Sequence, residues 1–189
     1  MSKVDSLHMD QFKVMTNISV IGFNLLEFPT ELDLARQALI DLRSEHPEST
    51  PSNVVATYMS PWKSHLLTDK LGPLIHVMSE LIMKISVDFY TRDLAQLNFR
   101  LAVADCWGAI YEAGDYSGLH HHFPADFASV VYLDVDAQAS PIIFSNSLEV
   151  HPQSATAIVF PGLLEHHVPP TNGRRVVIAI NFIKIPAFD

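Results

Sequence analysis

The chain has 189 residues, 48% of them hydrophobic and 17% charged, which fits one folded domain of ordinary apolar content and excludes a disordered chain. Its 21 acidic and 12 basic side chains leave a formal net charge of −9, so a protein that grips nucleic acid through clustered lysines and arginines is disfavoured. No stretch reaches the roughly 20 apolar residues that cross a bilayer. The segment from Met1 to Lys13 carries acids and lacks the apolar run of a secretory leader, and the one cysteine, Cys106, permits no internal disulfide. A cytoplasmic protein with no membrane partner is expected, and self-association stays open.

In chain order, residues Asn17 to Phe28 are rich in β-branched and aromatic side chains and read as an early strand or two. Pro29 breaks that run. Thr30 followed by Asp33 resembles a capping box, and Leu32, Ala35, Leu39 and Leu42 recur at helical spacing, so a helix is predicted to about Ser44. His46 to Ser52, with two prolines, reads as a loop. Val54 to Thr68 reads as a helical segment whose Tyr58 and Trp62 pack rather than line a pocket. From Pro73 the positions Leu74, Val77, Met78, Leu81, Ile82 and Ile85 mark the clearest helix.

Beyond about Asn98 the pattern changes to short apolar runs, Phe99 to Tyr111, Ser129 to Val135, Pro141 to Phe144, Ala155 to Phe160 and Arg175 to Ile185. Gly, Pro, Asn and Asp separate them, which predicts a β-sandwich or open barrel of the jelly-roll kind. The expected architecture is α+β: a double-stranded β-helix, cupin-like core with N-terminal helices packed on one outer face. Residues 1–97 would support the core and 98–189 would form it, within a single domain.

The chemistry concentrates in three histidines and an arginine. His120 and His122 flank one residue, so on an extended segment they project from the same face. His166 comes from a distant run, and Arg175 opens the last apolar strand. Together they read as a mononuclear metal site with an anion clamp beside it. His121 and His167 alternate away from these positions.

The ordered segments Trp107-Gly-Ala-Ile-Tyr111, His120-His-His122, Ser129-Val-Val-Tyr132-Leu133, Phe160-Pro161 running to His166 and Pro170, and Arg175 to Asn181-Phe182 resemble the Fe(II)- and 2-oxoglutarate-dependent oxygenase superfamily. They are most similar to a family of 2OG-Fe(II) oxygenases with a His-x-His and a later His. The resemblance covers Trp107 to Phe182. It implies a dioxygenase that uses Fe(II), dioxygen and 2-oxoglutarate as cosubstrate, and oxidises a second substrate with release of succinate and CO2. His120, His122 and His166 would be the metal ligands. Arg175, nine positions beyond His166, would pair with the far carboxylate of 2-oxoglutarate, a planar partner suited to guanidinium.

Arg174 is the rival for that role. Tyr132 falls where related enzymes offer a phenol to the same carboxylate, or it packs in the barrel, and Asn181 is carried over as a further cofactor-side residue. His122 stands where the superfamily usually has Asp or Glu, so Asp126 is the alternative ligand if its loop folds back. Two other functions stay open: a three-histidine, cupin-type dioxygenase that needs no 2-oxoglutarate, and a non-catalytic metal-binding jelly-roll module. The substrate is a small molecule or a peptide, with lipid not excluded.

Overall fold

The computed structural model describes residues 17–90 and 93–187; the leaderless reading of Met1 to Lys13 lies outside them. Two antiparallel sheets face each other. Strand β1 (Ile21–Asn24) is followed by helix α1 (Pro29–Glu45), short strands β2 (Val54–Val55) and β3 (Tyr58–Met59), and helix α2 (Gly72–Tyr90). The remaining strands are β4 (Phe99–Tyr111), β5 (Tyr116–His120), β6 (Phe127–Val135), β7 (Ile142–Phe144), β8 (Leu148–Val150), β9 (Thr156–Pro161), β10 (His166–Val168) and β11 (Arg175–Pro186). The larger sheet runs β1-β9-β6-β11-β4-β3 and the smaller β2-β5-β10-β7-β8, the jelly-roll expected from the punctuated runs.

Strand β11 is central, paired with β4 on one side and β6 on the other. Its sequence is almost continuously apolar because both of its faces are covered. Val176, Ile178 and Ile180 point outward into a core shared with Leu32, Leu39 and Leu42 of α1 and Leu74, Met78 and Ile82 of α2. Val177 points inward, where it packs with Tyr132, Phe144, Phe160 and Val168 between the sheets. Both helices therefore lie on one outer face. The seat of α1 is close: a Cβ on Gly108 of β4 would fall 2.4 Å from Leu39 Cδ1.

The predicted boundary near residue 97 does not divide the sheets. β1 pairs with β9, β3 with β4, and β2 with β5, so the N-terminal part supplies edge strands to both layers. Helix α1 begins at Pro29, two residues earlier than a cap at Thr30 predicts. Pro29 occupies its first turn, and no side chain caps it. Thr30 is already helical, so the capping box does not form; proline's fixed φ starts the helix and its missing N–H removes one unpaired donor.

Val54 to Thr68 is not a helix. It forms β2, β3 and a 3-10 turn at Ser64–Leu66. Here the free edge of β4 competes successfully with helical hydrogen bonding: Ser60 N donates to Gly108 O at 2.9 Å and Cys106 N to Trp62 O at 2.9 Å. Tyr58 packs as expected, buried with its hydroxyl on His46 O at 3.1 Å. No helix among the described residues is long and apolar enough to cross a membrane.

Candidate metal centre

Strands β5 and β10 place two of the histidines directly opposite each other, His120 against His166 in the antiparallel register. β5 ends at His120, and the chain then turns rather than continuing extended. His122 is brought back to the cluster by its own N–H, which donates to Gly162 O at 2.6 Å. The turn is locked in return by Ala125 N on His122 O at 2.8 Å and Gly162 N on Asp126 O at 3.0 Å. Such an approach requires glycine, because a Cβ at position 162 would lie 2.1 Å from Ala125 O. Gly162→Ala is therefore expected to destabilise the fold by about 1–3 kcal/mol and to weaken metal binding with it, measured by urea unfolding and by metal titration of the folded variant.

The ring nitrogens of His120, His122 and His166 all lie within 4.8 Å of one another. His120 Nδ1–H donates to Gly118 O at 2.8 Å and His166 Nδ1–H to Leu164 O at 2.9 Å. These bonds fix both rings as the tautomer whose Nε2 carries a lone pair, the orientation that metal-ligating histidines take from their outer partners. His122 Nε2 stands 3.2 Å from His166 Nε2. Imidazole nitrogens bound at right angles to one ion at about 2.1 Å are separated by about 3.0 Å, so the donor set fits a metal. No carboxylate of the described residues belongs to the cluster.

Burial holds all three imidazoles neutral. It pushes His122 down to about 2 and His166 to about 4, each aided by neighbouring imidazoles, and lowers His120 as well. Because these folded values lie below the unfolded value of about 6.5, the unfolded chain binds more protons in between. The metal-free protein should have full stability above about pH 6.5 and lose it progressively as pH falls through about 4. Thermal unfolding measured across that range checks this; a melting temperature flat from pH 7 to 4 would contradict it.

Behind the histidines lies a narrow cavity of about 50 Å³, lined also by Trp107, Tyr111, Tyr132 and Arg175. Arg175 is buried, 3% exposed. Its guanidinium lies over the Tyr111 ring, 4.1 Å from the centroid, and reaches Ser140 O at 3.5 Å. Its Nε has no hydrogen-bond partner, and neither has the Tyr132 hydroxyl. No carboxylate of the described residues pairs with it. An unpaired buried cation costs several kcal/mol, and two unsatisfied polar groups facing one cavity mark a place for an anion.

The other sequence-predicted residues lie elsewhere. Arg174 points out of the barrel and pairs with Glu112 at 3.1 Å. Asp126 is not with the histidines: its carboxylate takes Lys184 Nζ at 2.9 Å and Lys184 N at 2.7 Å. The fold-back that would make it a ligand is prevented by that pairing. Asn181 shares the inward face of β11 with Arg175 but lies six residues along it, about 20 Å away in an extended strand. The two cannot grip one small anion. Asn181 lines a second, outer pocket instead, with Trp62, Trp107 and the histidines.

His121 is solvent-exposed and His167 alternates away from the cluster, as expected. Tyr111 was not singled out from sequence, although strand alternation carries a signal for it: it lies opposite Arg175 in the β4–β11 register. Trp62 departs from the packing expected of it, since it is 37% exposed at the rim of the outer pocket.

No protein-family model and no curated protein matches this sequence. Solved structures match its fold. A prolyl-4-hydroxylase from Pseudomonas putida aligns over 88% of this chain and 92% of its own with a TM-score of 0.63 at 15% identity. An oxidoreductase of the 2OG-Fe(II) oxygenase family from Burkholderia pseudomallei aligns over 87% and 84% with a TM-score of 0.64 at 11% identity. The non-heme alpha-ketoglutarate-dependent carbocyclase SnoK from nogalamycin biosynthesis aligns over 87% and 79% with a TM-score of 0.67 at 8% identity. The architecture is that of the 2OG-Fe(II) oxygenases.

Proposed function

We propose that this chain is an Fe(II)- and 2-oxoglutarate-dependent dioxygenase that oxidises a small-molecule or peptide substrate with release of succinate and CO2. The observation that carries the reading is the buried, carboxylate-free Arg175 sharing one cavity with three tautomer-fixed histidines. The fold shared with known 2-oxoglutarate oxygenases supports it.

In this reading His120, His122 and His166 hold Fe(II), while Arg175 and the Tyr132 hydroxyl receive the far carboxylate of 2-oxoglutarate. Bound iron with 2-oxoglutarate supplies the activation of dioxygen. The chain's own part is placement. Val130, Ile142, Val168, Val177 and Ala179 line the cavity with apolar surface, which excludes water and strengthens the ionic grip of Arg175. The Gly118 and Leu164 carbonyls keep two imidazoles aimed. Burial raises the Tyr132 phenol far above its ordinary range, so it serves as a neutral hydrogen-bond donor. The single cysteine, Cys106, is buried and in keeping with a reducing, cytoplasmic setting.

The experiment is anaerobic reconstitution with Fe(II), addition of 2-oxoglutarate, and measurement of oxygen-dependent succinate release. Succinate formed only when all three are present is the expected result. The all-histidine cluster favours one second reading, a dioxygenase whose substrate carboxylate, rather than 2-oxoglutarate, occupies Arg175. Reconstituted protein that binds iron but neither binds nor consumes 2-oxoglutarate would select it.

A further inference from the structure

Outside the metal cluster, on the side away from Arg175, lies a second pocket of about 430 Å³. Both tryptophans of the chain line it. Trp62 and Trp107 meet edge to face with centroids 4.7 Å apart, and Trp107 lies 5.9 Å from the His122 ring. Phe123 stands at the rim, 67% exposed. The flat apolar walls suit a planar or ring-shaped group.

The polar groups of this pocket narrow the choice further. Its one lysine and one aspartate neutralise each other, Lys63 Nζ to Asp105 Oδ1 at 3.0 Å, so no unpaired charge waits for an ionic ligand. Asn181, by contrast, is 6% exposed and its Oδ1 is buried with no hydrogen-bond partner. A buried acceptor left unpaired is destabilising, and that cost is recovered when a ligand brings a donor. The Ala179 side chain beside it offers none, and the Trp107 indole N–H does not reach it.

We infer that the outer pocket recognises an uncharged substrate that combines a planar apolar group with an N–H or O–H donor, the ring against Trp62 and Trp107 and the donor on Asn181 Oδ1. This deepens, and rests on, the dioxygenase reading, since it places the substrate beside His122. It reassigns Asn181 from the cosubstrate to the substrate side. Anionic substrates such as phosphate esters and dicarboxylates are disfavoured, because the buried, unpaired cation found among the described residues, Arg175, lies at the other end of β11.

The test uses the two tryptophans as reporters. Benzamide, methyl benzoate and benzoate share a ring and differ in donor and charge, and each is titrated into the full-length protein while fluorescence is recorded. Benzamide is expected to bind at least tenfold more tightly than methyl benzoate, and benzoate most weakly. Asn181→Leu, close in size, should erase the benzamide preference and leave methyl benzoate unchanged, whereas Trp62→Ala should weaken benzamide and methyl benzoate alike while Trp107 still reports. Equal binding of the three compounds, or a preference that survives Asn181→Leu, overturns the inference. Iron and 2-oxoglutarate binding are measured separately by calorimetry on the same preparations. If they fail while the benzamide preference holds, the dioxygenase reading falls and the pocket chemistry stands; the converse result removes only the pocket chemistry.

Discussion

His166→Ala is expected to abolish stoichiometric Fe(II) binding at micromolar protein, and Asp126→Asn to leave it unchanged. His166 is the most buried of the three histidines, 3% exposed. It bridges the other two, with ring centroids 4.3 Å from His120 and 5.0 Å from His122. Loss of an outer hydrogen-bond partner alone costs a metal site about 10- to 100-fold in affinity, so loss of one of three ligands costs more. Cobalt titration followed by visible absorption gives the readout without requiring turnover. Asp126→Asn breaks the ion pair to Lys184 and should lower stability only modestly, since that pair is partly exposed. Metal binding that survives His166→Ala, or disappears in Asp126→Asn, would refute the three-histidine assignment.

Replacement of Arg175 by methionine should move two quantities in opposite directions. Charge-assisted hydrogen bonds contribute about 1.5–3 kcal/mol each. Losing the guanidinium's grip is therefore expected to cost about 3–4 kcal/mol, or roughly 100- to 1000-fold in 2-oxoglutarate affinity. The fold without cosubstrate should instead gain stability, because an unpaired buried cation gives way to an apolar side chain of similar length. Lysine at this position should not restore affinity, for an ammonium lacks the planar fork that meets a carboxylate at two points. Calorimetry for 2-oxoglutarate and chemical unfolding of the same protein measure both signs. A variant that is less stable and still binds 2-oxoglutarate normally would make Arg175 a structural residue.

The long strands were legible because each is a long, mostly apolar run bounded by turn residues: β4 begins at Phe99 and β11 at Arg175, where the pattern put them. The two helices were equally legible from their 3.6-residue spacing. Of the short strands, β1 and β7 fall within the predicted runs, but others were missed. β2, β8 and β10 hold two or three residues each, too few for any periodicity to show. The Val54 to Thr68 segment misled for a related reason: its structure is dictated by the unpaired edge of β4, a partner more than forty residues away.

By itself, the sequence determined which residue types could bind a metal and an anion, and that His120, His122, His166 and Arg175 belong to one jelly-roll core, because those facts reside in chain order, residue type and local alternation. Tertiary structure alone decided which of the candidates meet. Antiparallel register set His120 against His166, the Gly162 contact drew His122 back to them, and the pull of Lys184 took Asp126 away. Alternation gave Arg175 and Asn181 the same inward face, yet strand length separates them by about 20 Å into two pockets. Local pattern encodes the face on which a side chain lies; only the packed sheets set the distance between two of them.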